Sequence, residues 1–133
     1  MMTGEEVRRG CIYLVDLCLG DVAESGPQGA AQGRRRPALV VQNDLGNLSS
    51  DTTIVVALSS RMPSRAYPFH VVLPADILGK PGIIMCEQIW TVSRRRVDPQ
   101  ALAECSADLM EQVEEALRHS LGLSAETGEH YVS

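Results

Sequence analysis

Short apolar runs, each closed by glycine, proline, asparagine or serine, dominate the first two thirds of this chain. Cys11–Leu17 is the first predicted strand, and a long loop from Gly20 to Gly33 follows it. Pro37–Gln42 and Thr53–Ser59 are the second and third, joined by a tight connection over Asn43–Ser50. Phe69–Leu73, after Tyr67-Pro68, and Gly82–Ile89 complete the set. Runs such as Ile54-Val55-Val56-Ala57-Leu58 and Ile83-Ile84-Met85-Cys86 are apolar at successive positions, so both of their faces must be buried. That fits the middle of a small closed or strongly coiled barrel better than an edge. The period then changes. Leu109, Val113, Leu117 and Leu121 recur every four residues, with Met110 and Ala116 beside them. Ser106 is a suitable N-cap, Asp108 complements the helix dipole, and Gly122 is the expected stop. The expected fold class is therefore mainly β, a small barrel with one covering C-terminal helix.

The length of 133 residues, 44% apolar and 22% charged, suits one domain over 1–123 with a flexible tail over 124–133. No apolar run reaches the ~20 residues of a membrane span, and the N-terminus lacks a secretory pattern. A cytoplasmic address is the expectation. Cys11, Cys18, Cys86 and Cys105 form no C-x-x-C pair, which points to free thiols in a reducing compartment and gives no support to a disulfide framework or a metal site. No cofactor or metal is expected.

The net charge of −5 speaks against nucleic acid until its distribution is read. Residues 98–133 hold eight carboxylates against Arg118 alone, whereas residues 1–97 hold eleven Lys/Arg and nine acids. A basic patch on the body is thus compatible with an acidic total. Its best candidate is Arg34-Arg35-Arg36-Pro37, which runs into the second strand. A guanidinium donates two parallel hydrogen bonds to phosphate, and Pro37 pushes Arg36 toward an extended backbone at a strand mouth. Arg34 and Arg35 read more simply as surface charges that attract a polyanion.

Taken in order, several segments resemble the MazF/PemK-type toxins, the ribonuclease halves of bacterial toxin–antitoxin pairs. Arg36-Pro37-Ala38-Leu39-Val40-Val41-Gln42-Asn43-Asp44 is similar to the family's R-P-hydrophobic-N-D signature, and Arg9–Leu17 to its opening strand. Asp44-Leu45-Gly46-Asn47, Tyr67–Val71, Glu87–Thr91 and Ser120–Leu123 each resemble a further family segment. The resemblance implies an SH3-like barrel, a homodimer with RNA in a groove across it, and a cognate antitoxin as partner. It also implies metal-independent cleavage of single-stranded RNA through the substrate's own 2′-hydroxyl, leaving a 2′,3′-cyclic phosphate and a 5′-hydroxyl.

Carried onto this sequence, the resemblance makes Arg36 the catalytic arginine and Ser59 the catalytic hydroxyl, with Ser60 as its neighbour should the register slip. Arg34, Arg35, Gln88 and Trp90 join Ser60 as RNA-binding candidates. Trp90 stands where the family carries a cation, and two roles are open to it, stacking on a base or packing in a dimer interface. The loop before Arg36 is longer than the family's, and Ala31 falls where a glutamate is usual; Glu24 is a candidate replacement. His70 and His119 fit structural positions on a strand and a helix better than a ribonuclease pair. Two rival functions stay open on sequence: a CcdB-like gyrase poison, and a catalytically degenerate RNA-binding module.

Overall fold

The computed structural model describes residues 6–17 and 35–123. Arg34, Cys18, Glu24, Ala31 and the expected tail over 124–133 lie outside the described residues. Six antiparallel strands form one curled sheet: β1 (Cys11–Asp16), β2 (Arg35–Val40), β3 (Thr52–Ser59), β4 (His70–Leu73), β5 (Gly82–Ser93) and β6 (Ala103–Glu104). Their order across the sheet is β4-β5-β3-β2-β1-β6. After β5 a 3-10 turn, Arg94–Arg96, carries the chain back to β1, where Val97 bridges Val15 and β6 pairs with Cys11 and Ile12. The sheet thereby curls into the expected barrel-like form.

Successive residues along the strands fill two cores, as the doubly apolar runs require. Ile12, Leu39, Val56 and Ile84 belong to one cluster, closed by Leu109 and Val113 of the helix α3 (Ala107–Leu121). Cys11, Tyr13, Val40, Val55, Val92 and Val97 make the other, on the opposite face. Helix α3 starts and stops as its sequence predicts. Ser106 Oγ accepts the Leu109 N–H at 3.1 Å, and Gly122 closes the helix with φ 73°. Only the end of the stripe differs: Leu121 is exposed, one turn past the sheet that buries Leu109, Val113 and Ala116.

The structure corrects two local expectations and adds one element. The Asn43–Ser50 connection is a short helix, α1 (Asp44–Ser49), capped by Asn43, whose side chain accepts the Gly46 N–H at 2.7 Å. Strand β5 runs on to Ser93, because its register against β3 breaks: Val56 faces Ile89 but Ala57 faces Met85, so Cys86, Glu87 and Gln88 bulge out between two paired halves. A second short helix, α2 (Ala75–Leu78), joins β4 to β5 and ends at Gly79, φ 87°.

Below α1 lies Asn47, 1% exposed, with every hydrogen-bonding position of its amide used. Its nitrogen donates to the Gln42 carbonyl (3.1 Å) and to Asp44 Oδ1 (3.0 Å). Its oxygen accepts from Thr53 Oγ1 (2.7 Å) and Gln42 Nε2 (2.9 Å). Asn47→Ala orphans the buried Thr53 hydroxyl and the Gln42 carbonyl, and should lower unfolding free energy by about 2–3 kcal/mol in urea melts. Ser49→Ala, on the exposed side of the same helix, should change it far less.

Three cysteines in the described residues, Cys11, Cys86 and Cys105, are buried free thiols. Desolvation by burial pushes Cys86 up to about 12 and Cys105 up to about 11. An unfolded thiol ionises nearer 9, so the unfolded chain loses these protons first as pH rises. Stability from the buried thiols is therefore complete below pH 9 and declines between 9 and 11–12. Site-resolved alkylation at pH 8 should leave Cys86 and Cys105 unlabelled in the native protein and label both in denaturant.

Candidate active site

Three adjacent strands meet at one end of the sheet. Val15 pairs with Arg36 across β1–β2, and Ala38 with Ala57 across β2–β3. Continuing the second register by two residues sets Arg36 opposite Ser59, and Ser59 in turn pairs with Ile83 on β5. A cleft of about 420 Å³ opens there. Arg36, Ser59, Ser60, Arg61 and Lys80 supply its polar lining, and Pro37, Leu58, Leu73, Leu78, Pro81 and Met85 its apolar lining. The cleft narrows where β5 crosses Ser59, because Gly82 approaches so closely that a Cβ there would lie 2.8 Å from the Ser59 carbonyl oxygen. Only glycine fits.

The electrostatics separate Arg36 from the surrounding arginines. Arg35 reaches Asp98 at 3.6 Å, Arg96 reaches Asp16 at 3.7 Å, and Arg9 reaches Glu114 at 2.8 Å. Arg36, exposed in the cleft, has no ion-pair partner among the described residues, and neither do Arg61 and Lys80. Three cations thus line one small volume with no carboxylate beside them among the described residues, the condition for an anion site.

Ser59 is held by the turn that follows it. Its hydroxyl oxygen accepts the Arg61 backbone N–H at 3.0 Å. The hydroxyl keeps its own proton and a second lone pair, so Ser59, on the cleft lining, is able to donate a hydrogen bond to an anion.

The remaining sequence candidates fall into two groups. Arg36, Ser59 and Ser60 are brought together. Arg35 sits at the same strand end, yet alternation turns it to the opposite face, where it meets Asp98. Gln88 is exposed on the β5 bulge beside Glu87, outside the cleft. Trp90 faces Val55 across β3–β5 and packs against the second core, its indole N–H buried without an acceptor among the described residues. Each of the two described histidines meets a carboxylate through Nε2 at 3.3 Å, His70 with Glu87 and His119 with Glu115, and neither lines the cleft.

Sequence reasoning missed Arg61, Lys80 and Gly82. Arg61 carries a local signal, since it directly follows Ser59-Ser60. Lys80 carries none that links it to Arg36, because only the β2-β3-β5 neighbourhood brings them together.

The fold and site together define a small curled antiparallel β-barrel with a cationic, hydroxyl-bearing cleft at one end of its sheet. The chain itself belongs to the PemK-like, MazF-like toxins of type II toxin–antitoxin systems, whose sequence profile matches residues 8–121. It is 36% identical over 119 residues to Endoribonuclease EndoA of Bacillus subtilis (strain 168), covering 88% of this chain and 96% of that protein. Among solved structures, MazE–MazF (Form-II) from Deinococcus radiodurans is similar with a TM-score of 0.65 and 28% identity, covering 89% of this chain and 97% of the other. A mycobacterial endoribonuclease solved with its cognate antitoxin has a TM-score of 0.69 at 23% identity, covering 89% and 97%, a likeness of fold.

The tight approach of β5 to Ser59 is open to test. Gly82→Ala must separate β5 from the Ser59 carbonyl and should lower stability by about 1–3 kcal/mol, seen as a fall in Tm. Gly79→Ala, where nothing lies within 4 Å, tests backbone strain at φ 87° alone.

Proposed function

We propose that this chain is a sequence-preferring endoribonuclease toxin that cuts single-stranded RNA without a metal ion and is held in check by a cognate antitoxin. The observation that carries the reading is Arg36, without an ion-pair partner among the described residues, set across from a hydrogen-donating Ser59 in a cleft sized for part of a nucleotide strand. The nucleophile comes from the substrate. RNA carries a 2′-hydroxyl next to each phosphodiester, and its attack on phosphorus expels the 5′-oxygen and leaves a 2′,3′-cyclic phosphate. The protein must align that hydroxyl with the bond to be broken and stabilise the charge that builds on the equatorial oxygens. Arg36 supplies a bidentate cation and Ser59 a neutral donor, while Arg61 and Lys80 raise the local potential. A guanidinium does not give up its proton at neutral pH, so Arg36 acts on charge and geometry.

The partners follow from the same site and from the relatives. The Deinococcus structure is of a MazE–MazF complex, which supports an antitoxin for this chain as well. An acidic antitoxin segment would compete with RNA for the cations of the cleft. A homodimer would lengthen the basic surface, so that RNA flanking the cut is held by the second copy. Among the described residues no helix is long and apolar enough to cross a membrane.

Purified protein, freed of antitoxin and treated with EDTA, should cut a long defined single-stranded RNA into fragments with cyclic-phosphate and 5′-hydroxyl ends. Arg36→Ala should slow this by about 10²–10³-fold, the usual loss when a preorganised charge-stabilising group is removed. Ser59→Ala should slow it less. Intact RNA with the wild-type protein, or equal cutting by Arg36→Ala, overturns the reading. RNA binding without cleavage would instead mark a degenerate module, and gyrase-dependent DNA cleavage complexes a gyrase poison.

A further inference from the structure

Different elements line the cleft unequally. β2, β3 and the turn after β3 supply Arg36, Ser59 and Ser60 along with Pro37 and Leu58, whereas α2, β5 and the link between them supply an apolar wall of Leu78, Pro81 and Met85 together with Lys80. A phosphodiester has no apolar surface to offer that wall. A nucleobase does: its face packs on aliphatic and thioether groups, and clefts that enclose small flat ligands run from about 300 to 1,000 Å³. At about 420 Å³ this one takes a phosphate and a single base beside it.

Lys80 stands with this apolar wall, and its backbone is fixed on both sides. Gly79 ends α2 in the left-handed region before it, and Pro81-Gly82 leads into the close crossing over Ser59 after it. Its ammonium group carries three donors and no acceptor. Facing the C4 substituent of a pyrimidine or the C6 substituent of a purine, it can bond the carbonyl oxygen of uracil or guanine, whereas cytosine and adenine present an amine donor at that position. We propose that Lys80 reads the base adjoining the scissile phosphate and favours a keto base, uracil or guanine, over an amino base. The inference rests on the nuclease reading given above and adds the origin of its sequence preference.

The test compares cleavage rates on RNA oligonucleotides that differ only in the base on either side of the cut. Wild-type protein should prefer uracil or guanine over cytosine and adenine at one of these positions by about fivefold or more, the worth of one hydrogen bond. Lys80→Ala should flatten that ratio to within about twofold, and Lys80→Glu, which accepts from an amine, should invert it. Each ratio is taken within one variant, so a general loss of phosphate attraction cancels. Lys80 is exposed, so neither substitution opens a hole in the core. A wild-type preference for adenine or cytosine, no preference at either position, or a preference unchanged in Lys80→Ala overturns the inference while the nuclease reading stands. If the folded wild-type protein cuts no RNA, the nuclease reading falls and takes the inference with it.

Discussion

The register between β2 and β3 is fixed at the end of the pair farthest from the cleft, around the buried amide of Asn47. Each of its four hydrogen bonds ties a different piece of backbone or side chain: Gln42 after β2, Asp44 in α1, and Thr53 at the start of β3. Gln42 adds a bond to the Thr52 carbonyl, so the two strands leave α1 already aligned. A slip of one residue would turn every β3 side chain to the other face. It would exchange Val55 with Val56 between the two cores, and it would take Ser59 away from Arg36. A polar network at one end of the sheet therefore sets the chemistry at the other.

Charge placement follows the same economy. The acidic C-terminal helix is partly neutralised within the fold, with Glu114 bonded to Arg9 and Glu115 to Arg118 and His119. Arg9 also donates to the Val41 carbonyl, so this ion pair fastens α3 to the end of β2. Arg35 and Arg96 are spent on Asp98 and Asp16. The net charge of −5 consequently says little about the cleft, where the described lining holds cations and hydroxyls and no carboxylate. Surface potential near a substrate depends on the patch, and a Debye length of about 8 Å isolates that patch from acids elsewhere.

What the sequence made legible was what local rules govern. The cap at Ser106, the stop at Gly122 and the two-faced strands each depend on a few adjacent residues. Arg36 could be singled out because Pro37 restricts it from one residue away. The β5 bulge was hidden, because Cys86-Glu87-Gln88 continues a strand pattern and only pairing with β3 shows that three residues lack a partner there. Trp90 was equally hidden: in sequence its indole is open to base stacking or to a dimer interface, whereas its packing against the second core is decided by the curl of the sheet. Lys80 is the clearest case. An exposed lysine in a Gly-Lys-Pro-Gly turn reads as solvent-facing until α2 and the Gly82 crossing bring it to the cleft that Ser59 also lines.

The proton inventory of the cleft limits what kind of catalyst it can be. Among the described residues its lining contains no imidazole and no carboxylate, and His70 and His119 are paired with glutamates elsewhere. Ser59 Oγ already accepts the Arg61 N–H, and an unaided hydroxyl is a weak base for the 2′-hydroxyl proton. Alanine at position 31, where the family usually has glutamate, removes one further acid–base group from consideration. On the proposed nuclease reading, the described residues of the cleft contribute alignment of an internal nucleophile and fixed positive charge around the phosphorus. For such a site the separation of Arg36, Ser59 and Lys80 matters more than their basicity. That separation is set by strand spacing across β2, β3 and β5, and hence by the register that Asn47 holds.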